Sequence, residues 1–294
     1  MSVSAARQKL TLRHYLEGFL RLVRVRNLFI VALTQYLTRI LLIGPRSDWY
    51  TILRDPALFL IVLSTVLIAA AGYIINDYFD VKIDIVNKPE RVIVGRYLKR
   101  RVAMGAHQVL NILGVLLGLM VSRWVFLVNV LSVTLLWFYS AQFKRLPFIG
   151  NFVVSFLTAL SLVVLTVYYP QNRHLVLIYA TFSFFISMVR EVIKDIEDVR
   201  GDEAHGCRTL PIVWGVRRTK YFLYGLIGLF VITLFLMADS LNNWVLGWLF
   251  VGLLVPVAWL VYSMVRADTR RDFAKLSSLC KLIMLLGLTT MLWA

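Results

Sequence analysis

The sequence predicts an all-α integral membrane protein built from nine transmembrane helices. Three observations carry that reading. Of 294 residues, 60% are hydrophobic and 16% charged, and the mean hydropathy is +0.75; a water-soluble domain cannot hide so much apolar surface. The apolar residues fall into nine runs, each close to the ~20 residues a helix needs to cross hydrocarbon. The connections between runs are rich and poor in basic residues by turns, as the positive-inside rule requires.

The runs cover roughly 24–43, 57–76, 102–121, 124–142, 149–169, 175–194, 218–237, 244–265 and 273–293. Ahead of the first stand Arg7, Lys9, Arg13, Arg21, Arg24 and Arg26, with no small-residue cleavage site to suggest a signal peptide. The next connection balances Arg46 and Arg54 with Asp48 and Asp55. The linker 77–101 carries Lys82, Lys88, Arg91, Arg96, Lys99, Arg100 and Arg101, and the one after it Arg123 alone. Lys144 and Arg145 then mark a short basic turn, followed by Arg173 alone. The 190–220 region holds Arg190, Lys194, Arg200, Arg208, Arg217, Arg218 and Lys220. The connection from Asp239 to Asn243 has no basic residue, and the last has Arg266, Arg270, Arg271 and Lys275. This alternation places the N-terminus and the linkers 77–101 and 195–217 in the cytoplasm and the C-terminus outside, in the inner membrane if the cell is bacterial. No composition shift divides the chain, so residues 1–294 are expected to form a single transmembrane domain.

Lys and Arg outnumber Asp and Glu by 32 to 16, a formal net charge of +16. Such an excess can signal nucleic acid. Here the charge is confined to loops beside an anionic leaflet, and membrane lipid rather than nucleic acid is the expected partner. Cys207 and Cys280 are far apart and lack CxxC spacing, so they imply neither a disulfide framework nor a zinc site. The four histidines share no pattern.

Two acidic stretches interrupt this economy of charge: Asn76-Asp77-Tyr78-Phe79-Asp80-Val81-Lys82-Ile83-Asp84 and Asp195-Ile196-Glu197-Asp198-Val199-Arg200-Gly201-Asp202. Each ends an apolar run, where a carboxylate is costly unless it has a purpose. Asn76, Asp80 and Asp84 recur every four residues and share a helical face if the helix persists. Asp77 is turned by about 100° and faces elsewhere. Asp195, Asp198 and Asp202 also share a face. Mg²⁺ takes oxygen ligands, one or two carboxylates plus substrate phosphate. Two such faces could hold two ions with a diphosphate between them, offsetting the charge that develops as diphosphate departs. Solvated acidic linkers are the plain alternative, but two clusters on one side, each at a membrane boundary, argue against it. Lys88, Arg91, Lys144, Lys194 and Arg208 surround the stretches as candidate phosphate contacts. Tyr139 ends the fourth run at the same interface, where tyrosine ordinarily anchors a helix.

These residues resemble those of the UbiA superfamily of intramembrane prenyltransferases. Asn76 to Asp84 is similar to that family's NDxxDxxxD, and Asn87-Lys88-Pro89-Glu90-Arg91 to its NKPxR. Asp195 to Asp202 with Gly206, Arg208-Thr209-Leu210-Pro211 and Gly215 is similar to its DxxDxxxD…RTLP…G. Arg24-Val25-Arg26-Asn27 resembles RPxN, and Tyr139-Ser140, Lys144 and Asn151 a further block. The blocks run from the first helix to the seventh. Val92 and Val25 stand where the family usually has proline, a departure in backbone stiffness more than in ligation.

The resemblance implies nine helices around a central cavity, capped by the acidic motifs from the cytoplasm and open sideways to lipid. It implies Mg²⁺, two ions, and a polyprenyl diphosphate donor whose allylic centre is transferred to a lipophilic acceptor. Asn76 and Asp80 would face one ion, Asp198 and Asp202 the other, with Asp77, Asp84 and Asp195 as further candidate ligands. Lys144, Lys194, Arg91 and Arg208 would contact diphosphate, and Asn27 and Tyr139 would lie beside the reacting carbon. Asp-Ile-Glu-Asp-Val-Arg-Gly-Asp resembles the version in members that prenylate glycerol phosphate ethers, suggesting geranylgeranyl transfer to a prenylglyceryl phosphate. Arg24 or Arg26 would then hold the acceptor phosphate. An aromatic quinone or chlorin precursor is the alternative acceptor. An ion-coupled transporter is the non-enzyme alternative, though it would more often place its charges near the midplane and show internal repeats. A CDP-alcohol phosphotransferase would need a DGxxAR motif that the chain lacks.

Overall fold

The computed structural model describes residues 12–87, 89, 92–240 and 243–294, with side chains from residue 17 onward apart from that of residue 240. Among these residues nine helices are long and apolar enough to cross a membrane, and each contains one of the nine expected runs or most of it. A short helix α1 (Leu12–Leu22) precedes α2 (Val25–Leu37), and Arg24 between them takes a left-handed backbone (φ 53°) that turns the chain. A π-helical stretch, Thr38–Ile43, completes the first span. After α3 (Trp49–Leu53) come α4 (Pro56–Asn87), α5 (Arg100–Val121), α6 (Arg123–Ala141), α7 (Ile149–Tyr168) and α8 (Arg173–Ala204). Then follow α9 (Leu210–Ser240), α10 (Trp244–Gly252), α11 (Leu254–Val265) and α12 (Arg270–Thr290).

The expected spans fall short in two places that matter. Both α4 and α8 are 32 residues long, about 48 Å at 1.5 Å per residue, against ~30 Å of hydrocarbon. Residues 77–87 and 195–204, expected as linker, are therefore helix that projects out of the membrane. Nothing breaks α4 until Pro89, which cannot continue a helix. What stops α8 is Gly206 (φ 72°): Cys207 N–H donates to Asp202 O (2.9 Å) and Gly206 N–H to Glu203 O (3.1 Å), a Schellman closure. The seventh span also starts early, at Leu210, and kinks at Gly215 (φ 79°). The eighth bends at Leu253, with Pro256 in the first turn beyond.

Two buried apolar clusters hold the helices. The larger joins the first span, α3, α4 and α6 to α7 through α12, and α8 approaches α12 closely because Gly287 leaves room for Phe182, whose ring carbon would sit 2.3 Å from an added Cβ. The smaller joins α1, α4 and α5 through Leu22, Ile74, Val94 and Ala103.

Polar contacts sort the connections into two ends, as the charge alternation requires. At one end Arg24 meets Asp77, Lys144 meets Asp80, Arg208 N–H donates to Arg145 O, and Arg270 donates to Asn87 O. At the other, Tyr169 donates to Asp55, Asn172 to Leu42 O, Arg46 to Leu292 O, and Asn243 to Trp293 O. A cavity of about 350 Å³ lined by Trp124, Thr166, Val167 and Arg173 opens at this second end and holds none of the acidic groups.

Candidate active site

The projecting ends of α4 and α8 carry the two acidic faces to one end of the bundle. On α4, Asp80 accepts from Lys144 Nζ at 2.5 Å, with only 15% and 9% of the two side chains exposed. Lys144 reaches it from a 3-10 turn, Phe143–Arg145, which follows α6. Asp77 points off the shared face, as its 100° offset requires, and accepts from Arg24 at 2.9 Å. The Arg24 guanidinium also lies 4.8 Å from the centre of the Tyr73 ring. Asn27 Nδ2 is 3.4 Å from Tyr73 Oη. The Asn76 side-chain oxygen is buried without a hydrogen-bond donor, an acceptor that costs free energy unless something fills it. Asp84 is half-buried one turn beyond Asp80, within Coulombic range of Arg24.

On α8, Asp195 accepts from Asn151 Nδ2 of α7 at 2.9 Å. Asp198 lies 4.0 Å from Arg270 at the start of α12. Asp202 is within Coulombic range of Asp198 on its own helix and of Asp80 across the gap, with Lys144 and Lys194 also in reach. Half-buried Tyr139 of α6 lies within Coulombic range of Glu191, Asp80, Asp195 and Arg24. The structure thus draws Asn76, Asp80, Asp195, Asp198, Asp202, Tyr139 and Lys144 together from three helices and one turn.

Other expected residues are placed differently. Lys194 Nζ donates to Glu191 at 2.9 Å. Asp77 is committed to Arg24, and Arg24 to Asp77. The Arg208 side chain is exposed, and its backbone N–H ties the α8–α9 connection to Arg145 O at 2.8 Å. Asn27 is exposed beside Tyr73. Arg91 lies outside the described residues.

Three features escaped the sequence reading. Glu191 stands one turn before Asp195 on the acidic face, is 7% exposed, and also accepts from Arg190. Extending the i, i+4, i+7 pattern back one turn would have found it. Asn87, the last residue of α4, closes a clasp on α8: its Oδ1 accepts from Gly201 N–H (3.0 Å) and its Nδ2 donates to Asp198 O (3.1 Å). A Cβ at Gly201 would lie 2.3–2.4 Å from the Asn87 amide, so only glycine admits the clasp. Arg270 then donates to Asn87 O at 2.6 Å, and no local pattern marks it. Cys207 is buried beside this closure, and burial, helped by the charge of Asp202, pushes its thiol up to about 11. A thiol held protonated is a weak nucleophile.

The donor set suits a hard divalent cation. Every candidate ligand is an oxygen, and among the described residues no three His, Cys, Asp or Glu side chains close into a cage of their own. An open, two-sided oxygen site of this kind matches Mg²⁺, which keeps waters and completes its shell with substrate phosphate, and not a protein-enclosed metal. The unfilled Asn76 oxygen supplies a ready ligand.

The profile of the UbiA prenyltransferase family matches residues 37–286. The digeranylgeranylglyceryl phosphate synthase of Sulfurisphaera tokodaii is 29% identical over 273 residues, 91% of this chain and 96% of its own. That of Thermococcus kodakarensis is 32% identical over 205 residues, 70% of this chain and 72% of its own. A solved structure concerned with digeranylgeranylglyceryl phosphate synthase in membranes superposes with a TM-score of 0.69 at 25% identity, covering 95% of this chain and 97% of the other. A UbiA homologue from Archaeoglobus fulgidus bound to DMAPP and Mg²⁺ shares the fold, with a TM-score of 0.64, 16% identity, and 93% and 99% coverage.

Proposed function

The chain belongs to the UbiA prenyltransferase family, and from that premise we propose that it moves a geranylgeranyl group from its diphosphate to the free hydroxyl of a prenylglyceryl phosphate. The observation that carries the reading is the facing of the two acidic helix ends with Lys144 on Asp80 between them. The acceptor follows from the relatives just described, whose names agree with the Asp-Ile-Glu-Asp-Val-Arg-Gly-Asp stretch. The whole chain acts as one transmembrane unit, with the acidic faces on the cytoplasmic side.

In this reading the allylic C–O bond of the donor breaks and its electron pair leaves with diphosphate. The acceptor hydroxyl oxygen then bonds the allylic carbon and its proton passes to the departing diphosphate. Mg²⁺, two ions, would supply the positive charge that offsets the departing diphosphate. Asn76 and Asp80 would hold one and Asp198 and Asp202 the other, with Asp195, Asp84 and Asp77 in support. Lys144 can pass from the Asp80 carboxylate to a phosphate oxygen without leaving the site, and Arg208 and Arg91 complete the diphosphate contacts. Tyr139 and Asn27 flank the reacting carbon. The apolar helix walls take the prenyl tail, at about 0.8 kcal/mol per buried CH₂.

The test is product formation by purified protein given geranylgeranyl diphosphate, Mg²⁺ and one acceptor at a time: a prenylglyceryl phosphate, an aromatic quinone precursor or a chlorin precursor. The glyceryl phosphate should be consumed with release of one diphosphate per product. Turnover of an aromatic or chlorin acceptor alone would overturn the acceptor.

A further inference from the structure

Arg190 sits inside the segment 175–194 that crosses hydrocarbon, where a cation is expensive unless it is used. One guanidinium nitrogen donates to Glu191, and Lys194, four residues on and on the same face of α8, donates to the other Glu191 oxygen. Two cations thus share one carboxylate. The Arg190 Nε–H is buried and has no acceptor, a donor whose burial is costly until an anion arrives. Glu191, which holds both cations, lies within Coulombic range of Tyr139 and Arg24, and Lys194 of Asp195 and Asp202, so this carboxylate borders the place where the proposed reaction occurs.

Resting on the proposed acceptor, we infer that Arg190, with Lys194, binds the acceptor's phosphate, and that Glu191 holds the two cations in place until it does. The chemistry of a glyceryl phosphate fixes the location. Its reacting hydroxyl and its phosphate are on adjacent carbons, so the phosphate must lie beside the carbon that is being attacked. A phosphate ester carries a charge of about −1.5 to −2 at neutral pH, and a guanidinium grips its oxygens in a fork. Arg24, the sequence's candidate for this role, is spent on Asp77 and stacked on Tyr73. Arg26, the other, is exposed on α2. The structure therefore moves the assignment from the first helix to α8.

The experiment compares two acceptors, the prenylglyceryl phosphate and the same prenylglycerol without its phosphate, at saturating geranylgeranyl diphosphate. Arg190→Gln should raise the KM for the phosphorylated acceptor about ten- to a hundredfold, leave the donor KM within about twofold, and erase most of the preference for the phosphorylated acceptor. Arg190→Lys should recover part of that preference. An unchanged KM for the phosphorylated acceptor would overturn the assignment, as would an equal loss with both acceptors, the signature of a merely structural role. Wild-type protein that leaves the glyceryl phosphate untouched would instead remove the acceptor reading itself, and this site with it.

Discussion

The two acidic faces look alike in sequence and are balanced differently in space. On α4 the neutralising cations come from elsewhere in the chain: Arg24 for Asp77 and Lys144 for Asp80. On α8 the helix itself carries Arg190 and Lys194, gathered on Glu191, while Asp195 is met by the Asn151 amide and Asp198 by Arg270 of α12 at 4.0 Å. The α4 face is therefore a closed ion pair that must exchange its lysine to accept a metal. Lys144 should be freed for diphosphate only as Asp80 takes up the cation.

The largest effect should come from removing a carboxylate on either face. Asp80→Asn and Asp198→Asn should each lower Mg²⁺-dependent diphosphate release by about a hundred- to a thousandfold, measured by single-turnover assay. Equal losses would make the faces equal partners in catalysis; a near-normal rate for either would break the two-face picture. Lys144→Ala separates them more finely. It should weaken use of the donor about tenfold, yet tighten binding of Mn²⁺ in the absence of donor, read directly by electron paramagnetic resonance. Weaker Mn²⁺ binding in that variant would contradict the closed ion pair on α4. The smallest effect expected is at the clasp that sets the distance between the faces. Gly201→Ala should expel the Asn87 amide, lower thermal stability by a few degrees, and raise the Mg²⁺ concentration for half-maximal activity several-fold. An unchanged Mg²⁺ requirement would reduce the clasp to a structural tie.

Much of this was legible in the chain. The spans could be read because hydropathy over ~20 residues is a local property, and the two-ended sorting of connections followed from counting Lys and Arg. The faces Asn76–Asp80–Asp84 and Asp195–Asp198–Asp202 could be read because a helix repeats every 3.6 residues. The lengths of α4 and α8 were missed because hydropathy reports where hydrocarbon ends, not where hydrogen-bonded helix ends. The stop signals, Pro89 and Gly206, were present beyond each polar turn.

What the sequence determined by itself is the membrane class, the order of the spans, and the carboxylate-bearing faces, all set by residues a few positions apart. Only the tertiary structure decided which cation meets which carboxylate. Arg24 and Asp77 are 53 residues apart, Lys144 and Asp80 64, Asn87 and Gly201 114, and Arg270 and Asn87 183. No local rule links positions so distant. Charge near hydrocarbon must be compensated by whatever packing brings within reach, and packing committed Arg24 and Lys144 to carboxylates of α4 while leaving Arg190 with a donor to spare.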